Sequence, residues 1–339
     1  MHPFAYHRAE TGRQAVDLAR SSVMTRAPQQ ASAQFIAGGT TMTDLMKLNV
    51  LQPEALVDIN RMSGEPYDQV VETAEGLRFG ALVRMAEAQD HPAVVRDYPV
   101  IAETLRLAAS QQIRAMASLG GNVLQRTRCA YFRETSWPCN KRNPGSGCAA
   151  INGMNRQHAV LGTSEHCIAT YPGDFAQALI ALEASVETLG PKGARRFPFA
   201  TLHRAPEASP ELETRLEPGE LIAFIDVPAR PWARRSHYLK VRDRESYEFA
   251  VAAAAIVLDL DGEIVRQARI ALGGVATVPW RASAAEDALV GQRLDEDRAL
   301  AAAEAAFTDA RSYGANDFKI SLGKRTLMRA LLETKRMEI

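Results

Sequence analysis

The four cysteines of this chain, Cys129, Cys139, Cys148 and Cys167, fall within 39 of its 339 residues, in the stretch least able to build a core. Residues 126–165 show no sustained apolar period, and turn formers interrupt them at Trp137-Pro138 and at Asn143-Pro144-Gly145-Ser146-Gly147. A loop of that length inside a compact protein is uncommon, and is usually functional or disordered. If the loop is ordered, something other than hydrophobic burial holds it. Four thiolates around an inorganic centre would do so.

Several chemistries compete for these sulfurs. Disulfides require an oxidising compartment, normally reached through a secretory signal. The start, MHPFAYHRAETGRQAVDLAR, has no apolar h-region and no small-residue cleavage site, so no export signal of its own is expected. Structural zinc sites usually present C-x2-4-C pairs, whereas the gaps here are 9, 8 and 18 residues. An iron–sulfur cluster needs four thiolates and tolerates irregular spacing on a folded scaffold. Four unrelated buried cysteines would not be expected to gather in one loop. Spacing therefore favours a cluster and leaves zinc and disulfides open.

Size and charge exclude other classes. A chain of 339 residues has room for two or three domains. Lys plus Arg and Asp plus Glu both number 40, so there is no net positive charge of the kind a nucleic-acid partner calls for. No apolar run approaches the roughly 20 residues that cross a bilayer, so membrane insertion is not expected.

The first third reads as short strands alternating with helices. Helices are expected over 11–22 and 100–109, a helical turn over 44–49, and strands over 34–37, 55–59 and 76–81. After the cysteine loop come a helix over 174–182 and strands over 184–189 and 221–227. Pro228-Ala229-Arg230-Pro231 reads as a linker. Beyond it, strands over 249–260 and 268–275 flank an Asp261-Gly262 turn, as in a hairpin. Helices over 282–289, 297–307 and 320–336 follow, so the end of the chain reads as a separate α+β domain.

Two glycine elements precede the cysteines. In Phe35-Ile36-Ala37-Gly38-Gly39-Thr40-Thr41-Met42 a strand opens into a double-glycine turn. Without Cβ atoms the backbone amides can close on a phosphate and form a nest, with threonine hydroxyls as further donors. No Lys follows the glycines and G-x-G-x-x-G is absent, so neither the triphosphate P-loop nor the common Rossmann fingerprint fits. The second element, Ala117-Ser118-Leu119-Gly120-Gly121-Asn122, lets a flat ligand approach the backbone. Either alone is compatible with an ordinary turn.

Together these segments resemble the FAD-binding medium subunits of the molybdenum hydroxylases, the xanthine dehydrogenase and carbon monoxide dehydrogenase flavoprotein family. The resemblance runs through Phe4 and Tyr6, FIAGGTTMTDLMK, SLGGNVLQ, YPGDFAQALIALEA, LEPGELI, YLKVRDRESYEFA and GGVATVPWRA. Most flavin subunits of the family lack the cysteine loop. This one looks like the [4Fe–4S]-holding insertion of the bacterial periplasmic aldehyde oxidoreductases, and a shorter insertion occurs in 4-hydroxybenzoyl-CoA reductase. The implied fold is α+β: a two-lobed FAD-binding domain of the vanillyl-alcohol-oxidase/PCMH type over 1–228, split near 60 and carrying the insertion over 126–167. A small CO dehydrogenase flavoprotein-type C-terminal domain over 232–339 follows.

The resemblance also implies roles. Gln34, Phe35, Ile36, Ala37, Gly38, Gly39, Thr40, Thr41 and Met42 match the pyrophosphate loop, and Ala117, Ser118, Gly121 and Asn122 match the second FAD segment. Asp174 matches an acidic position that bonds a cofactor sugar hydroxyl, although an N-cap role explains it equally. Leu221 or Ile222 would pack on the cofactor. Lys240 matches a position near the flavin ring, where a cation would stabilise the reduced anionic flavin; a solvated strand lysine is the alternative. Cys129, Cys139, Cys148 and Cys167 would be the cluster ligands. Arg126, Arg128, Arg133, Lys141 and Arg142 would offset its charge, or form a solvated basic face. His158 and His166 would be structural.

The implied function is electron relay with no substrate-converting residues of its own. Electrons would come from molybdopterin in a large subunit and [2Fe–2S] clusters in a small subunit, and leave for an external acceptor. Rivals are the flavin subunit of a 4-hydroxybenzoyl-CoA reductase-like complex, a flavin-free iron–sulfur sensor or scaffold, and a standalone flavin oxidase. The resemblance implies a periplasmic location by co-export with a signal-bearing partner, with the cytoplasm as alternative.

Overall fold

The computed structural model describes residues 1–20, 27 and 30–339, which form three sheets in chain order. The first contains β1 (Ala5–Arg8), β2 (Ala33–Ile36) and β3 (Ala55–Asp58), with α1 (Gly12–Arg20) and α2 (Met42–Lys47) in the connections. Its strands are parallel in the order β1-β3-β2, and parallel neighbours require such crossovers. Ala15, Val16 and Ala19 give α1 the buried stripe that seats it. Ser21 and Ser22, the expected end of that helix, lie outside the described residues.

The second sheet is antiparallel. Its strands are β4 (Val70–Thr73), β5 (Gly76–Gly80), β6 (Ser185–Gly190), β7 (Gly193–Pro198) and β8 (Leu221–Pro228), in the order β4-β5-β8-β6-β7. Between β5 and β6 the chain forms α3 (Met85–Asp90), α4 (Pro92–Asp97), α5 (Pro99–Arg106), α6 (Gln111–Met116), α7 (Leu119–Val123), α8 (Ala130–Arg133) and α9 (Phe175–Ala181). Phe224 of β8 stacks on Tyr67 with ring centroids 5.3 Å apart, inside a core shared with α1 and β3. The first two sheets are thereby fastened together.

The last part contains β9 (Ser236–Val241), β10 (Ala252–Asp261), β11 (Ile264–Gly273) and β12 (Trp280–Arg281), a meander covered by α10 (Ser283–Leu289), α11 (Glu296–Ala306) and α12 (Phe318–Lys335). The apolar run of β10 serves two cores. Ala253, Ala255 and Val257 face the core of α5, α9 and the second sheet, while Ala252, Ala254, Ile256 and Leu258 face α10–α12. Strand alternation produces this division directly.

Three expectations are corrected here. The stretch after Pro228 is a packed 3-10 turn, Pro231–Arg234, with Ala233 buried in the shared core, rather than a free linker. The strand expected from 249 starts at Ala252, because Phe249 turns aside to lie under the Arg128 guanidinium, 5.1 Å from its ring centroid. The strand expected over 268–275 runs over Ile264–Gly273 and stops at Gly274, whose φ of 72° breaks extended backbone.

Candidate functional site

Where β2 leaves the parallel sheet, its chain turns through Gly38 and Gly39 at the carboxyl ends of the strands, the place where open α/β sheets bind ligands. Gly39 has φ of 71°, accessible to glycine at little cost. A Cβ on Gly38 would lie 1.9 Å from the carbonyl oxygen of Met116. Only glycine lets this loop meet the end of α6. Among the described residues the amides of Gly38, Gly39, Thr40 and Thr41 donate to no backbone carbonyl, leaving four successive donors for an anion.

Opposite this loop stands the second glycine element, which forms a short helix rather than an ordinary turn. The Ser118 hydroxyl caps α7 by accepting from the Gly121 amide at 3.2 Å, and Gly120 packs against Ala81. Between the two lies a cavity of about 650 Å³, also walled by β8 and by residues 244–249. It is lined by Gln34, Phe35, Ile36, Ala37, Gly38, Gly39, Thr40, Thr41, Met42, Ala117, Ser118, Gly121, Asn122, Asp174, Leu221 and Ile222, but not by Lys240.

Features of the wall fit a large polar cofactor. The Oδ1 of Asn122, the Oγ1 of Thr214 and the Nε of Arg128 are buried without a hydrogen-bond partner, and such groups normally find one. Ala109 and Tyr247, both lining residues, hold positive φ of 50° and 53° without being glycine, a strain that gathers at ligand sites. Sequence reading missed Thr214 and Tyr247. The inward bend at Phe249 was the available signal, hidden inside an apolar run.

Asp174 is buried at the N-cap position of α9, as expected, but its side chain makes no capping hydrogen bond. Its Oδ1 accepts from the Tyr238 hydroxyl at 2.6 Å and its Oδ2 from Lys240 Nζ at 2.7 Å. Burial pushes its carboxyl upward against the pull of Lys240. Lys240 is likewise not a solvated strand lysine: its side chain is 1% exposed and also donates to the Leu107 carbonyl at 3.0 Å. It acts on the cavity through Asp174.

Residues 126–170 contain no strand, and polar staples hold them. Asn140 donates to the His166 carbonyl at 3.1 Å and accepts from the Gly147 amide at 2.8 Å. Asn155 donates to the Tyr313 carbonyl, Asn316 to the Ala159 carbonyl, and buried Lys319 to the carbonyls of Gln157 and His158, tying the loop to the C-terminal region. The five cations are not a solvated face. Arg126 and Lys141 share Glu213 at 2.6 and 2.9 Å, Arg128 and Arg133 share Asp44, and Arg142 donates to the carbonyls of Tyr131 and Phe132. Burial works to raise the Glu213 carboxyl, and Arg126 and Lys141 outweigh it, holding it below the usual range.

No two of the four cysteines are joined in a disulfide, and Cys139 and Cys148 oppose each other across an antiparallel bridge. Burial pushes Cys129 up to about 12 and Cys167 up to about 11, and it raises Cys148 as well. The sulfurs influence one another electrostatically, Cys129 with Cys139 and Cys167, and Cys148 with Cys139. Among the described residues no three or more His, Cys, Asp or Glu side chains group closely enough to hold a metal ion. The backbone suits thiolates: amides of Tyr131 and Phe132 point at Cys129, those of Ala150, Ile151 and Ile168 at Cys148, and that of Ala169 at Cys167. His158 Nε2 lies 3.1 Å from Cys129 Sγ, while His166 has only backbone contacts there.

A three-sheet α+β protein with a glycine-walled, anion-ready cavity is a binder of a dinucleotide-type cofactor. Residues 2–230 match the FAD binding domain in molybdopterin dehydrogenase, and residues 237–334 match the CO dehydrogenase flavoprotein C-terminal domain. The chain is 45% identical to the aldehyde oxidoreductase FAD-binding subunit PaoB of Escherichia coli, over 99% of both chains. It is 29% identical to the carbon monoxide dehydrogenase medium chain of Afipia carboxidovorans, over 98% of this chain and 96% of that one. The carbon monoxide dehydrogenase structure from Hydrogenophaga pseudoflava superimposes with a TM-score of 0.73 at 27% identity, over 98% of each chain. The chain therefore belongs to the FAD-binding medium subunits of the molybdenum hydroxylases, which are oxidoreductases.

Proposed function

We propose that the chain is the FAD- and [4Fe–4S]-binding electron-transfer subunit of a molybdenum-dependent aldehyde oxidoreductase. One observation carries the relay reading. Arg128 lines the cavity, and the next residue is Cys129, the first of the four loop cysteines. Arg126 repeats this adjacency in charge, since it lines the same cavity and shares Glu213 with Lys141, which acts electrostatically on Cys167. An FAD in the cavity and a cluster on these cysteines would be held by neighbouring residues of one segment, which supports direct electron exchange between them.

FAD, when bound, supplies two-electron chemistry, and a cluster supplies single-electron exchange. The protein's own residues bind and insulate. The amides of Gly38–Thr41 would hold an anionic diphosphate, Asn122 and Thr214 would meet polar edges of the cofactor, and Leu221 and Ile222 would cover an apolar face. Asp174 keeps lone pairs for a cofactor hydroxyl beyond those engaged by Tyr238 and Lys240. Cys129, Cys139, Cys148 and Cys167 would hold the cluster as thiolates, so cluster binding would release protons.

The 45% identity to a named aldehyde oxidoreductase subunit supports the substrate class. Partners would be a molybdopterin-binding large subunit and a [2Fe–2S] small subunit, with delivery to an external acceptor. Co-export to the periplasm with a signal-bearing partner belongs to the same reading. Expression with the neighbouring genes, followed by flavin, iron and sulfide analysis and anaerobic reduction by aldehydes, tests it. The expected result is stoichiometric flavin, cluster iron on this chain and bleaching of the flavin by aldehyde. A complex whose medium subunit carries no flavin would sink the proposal.

A further inference from the structure

Among the described residues, the sulfur of Cys129 is the one that has a side-chain hydrogen-bonding group against it. The Nε2 of His158 lies 3.1 Å from Cys129 Sγ, across 29 residues of sequence. His158 is buried, and its other ring nitrogen, Nδ1, has no hydrogen-bond partner in the protein. A neutral imidazole carries a single N–H. On Nδ1 that proton would be an orphaned buried donor, and the bare Nε2 lone pair would face an electron-rich sulfur. Placed on Nε2, it satisfies the sulfur and leaves only an unpaired acceptor at Nδ1, the less costly orphan.

The ring is held for this contact. The His158 amide donates to the Asn155 carbonyl at 2.9 Å, and its carbonyl accepts from Lys319 Nζ at 3.2 Å. Tyr131 packs beside the ring with centroids 6.2 Å apart. Lys319 belongs to α12, so the C-terminal helix sets the position of a group at the cysteine cage.

We infer that His158 donates its Nε2–H to the Cys129 thiolate and thereby raises the reduction potential of the cluster, an inference that rests on the cluster reading above. Each electron added to a cluster increases negative charge on its sulfurs, so a donor at sulfur stabilises the reduced state more than the oxidised one. His158 is a positioning and tuning residue and supplies no fifth ligand.

The test is an EPR-monitored redox titration of the intact complex carrying wild-type chain, His158→Phe or His158→Gln. Phenylalanine keeps the ring volume and removes the donor, whereas the glutamine amide restores an N–H at the Nε2 position. His158→Phe is expected to retain its iron and to shift the oxidised-to-reduced ratio at fixed potential about tenfold toward oxidised, about 59 mV for a one-electron couple. His158→Gln should lie close to wild type. Full iron with an unmoved potential in His158→Phe overturns the inference and leaves the cluster reading intact. Absence of iron in the wild-type chain overturns both. If His158→Phe loses its iron, pulsed EPR of the reduced wild-type complex grown on 15N-histidine decides. A coupled ring nitrogen with an exchangeable proton supports the contact, and no coupling overturns it.

Discussion

The cavity and the cysteine loop adjoin at Arg128 and Cys129, yet they are built by opposite means. The cavity is a gap left where regular elements meet. Its walls come from β2, α7 and β8, and the close approach of the first glycine loop to the end of α6 depends on the missing side chain at Gly38. The loop has almost no regular structure and is stitched by Asn140, Asn155, Asn316 and Lys319 to distant carbonyls. One site is preformed by backbone that packs without its ligand. In the other, sulfurs such as those of Cys139 and Cys167 are buried among polar staples rather than within an apolar core of regular elements. The two should therefore fail independently.

The largest effect is expected from Cys148→Ser. With one of four ligands removed, cluster iron should fall to background, because metal affinity is inseparable from the deprotonated ligand set. Flavin content should remain near that of wild type, since no wall of the cavity is touched. Iron, sulfide and flavin analysis of the same preparation reads both. Unchanged iron would exclude Cys148 as a ligand, and joint loss of flavin would show that the two sites stand or fall together.

Gly38→Ala is the converse variant. Its Cβ would press into the Met116 carbonyl, 1.9 Å away, and the clash is backbone against side chain with no flexible atom to yield. The β2–α2 turn must then move off α6, misplacing the donor amides. Flavin affinity should drop by about tenfold or more, equivalent to losing a single charge-assisted hydrogen bond. Iron should stay. Titration of deflavinated complex with FAD, followed by flavin fluorescence, measures the loss.

These two variants address what the sequence made legible. A strand running into Gly38-Gly39, a second small-residue segment at Ser118–Asn122, and four cysteines in one loop are local features, visible in order along the chain. The pairings that hold the sites are not local. Asp174 reads as an N-cap because it precedes an apolar helix, and Lys240 as a surface lysine because strands alternate. Only the fold brings them to 2.7 Å across 66 residues. The staples of the cysteine loop span more than 150 residues, from Asn155 to Tyr313 and from His158 to Lys319. Nor do β7, nearly all exposed and rich in arginine, and the cavity-lining Tyr247 carry an apolar signal. Burial of charge is decided by tertiary partners, and one chain read in order does not name them.

Lys240→Met sharpens the comparison on the cavity side. It strands the buried Asp174 carboxylate without its cation, and breaking a buried pair from one end typically costs about 3–5 kcal/mol. The double variant Asp174→Asn, Lys240→Met should recover much of that loss. Urea unfolding of the four members of the cycle measures the coupling. A near-zero cost for Lys240→Met alone would mean that Asp174 is protonated and the pair carries no ionic charge.

The smallest effect is a pH dependence on the loop side. Burial, with Arg156 adding to it, holds the Lys319 ammonium down to about 7, while Asp243 pulls the other way. An unfolded lysine titrates near about 10.4. Below pH 7 both states are protonated and Lys319 adds no slope. Between about 7 and 10.4 the unfolded chain holds a proton that the folded chain has released, so stability contributed by this group rises with pH. Lys319→Met removes this contribution alone. Stability should respond less favourably to a change from pH 7 to pH 9 in Lys319→Met than in wild type, read from urea midpoints at each pH. Equal responses would mean that Lys319 stays charged while donating to the Gln157 and His158 carbonyls, and that the loop is stapled by an ammonium throughout.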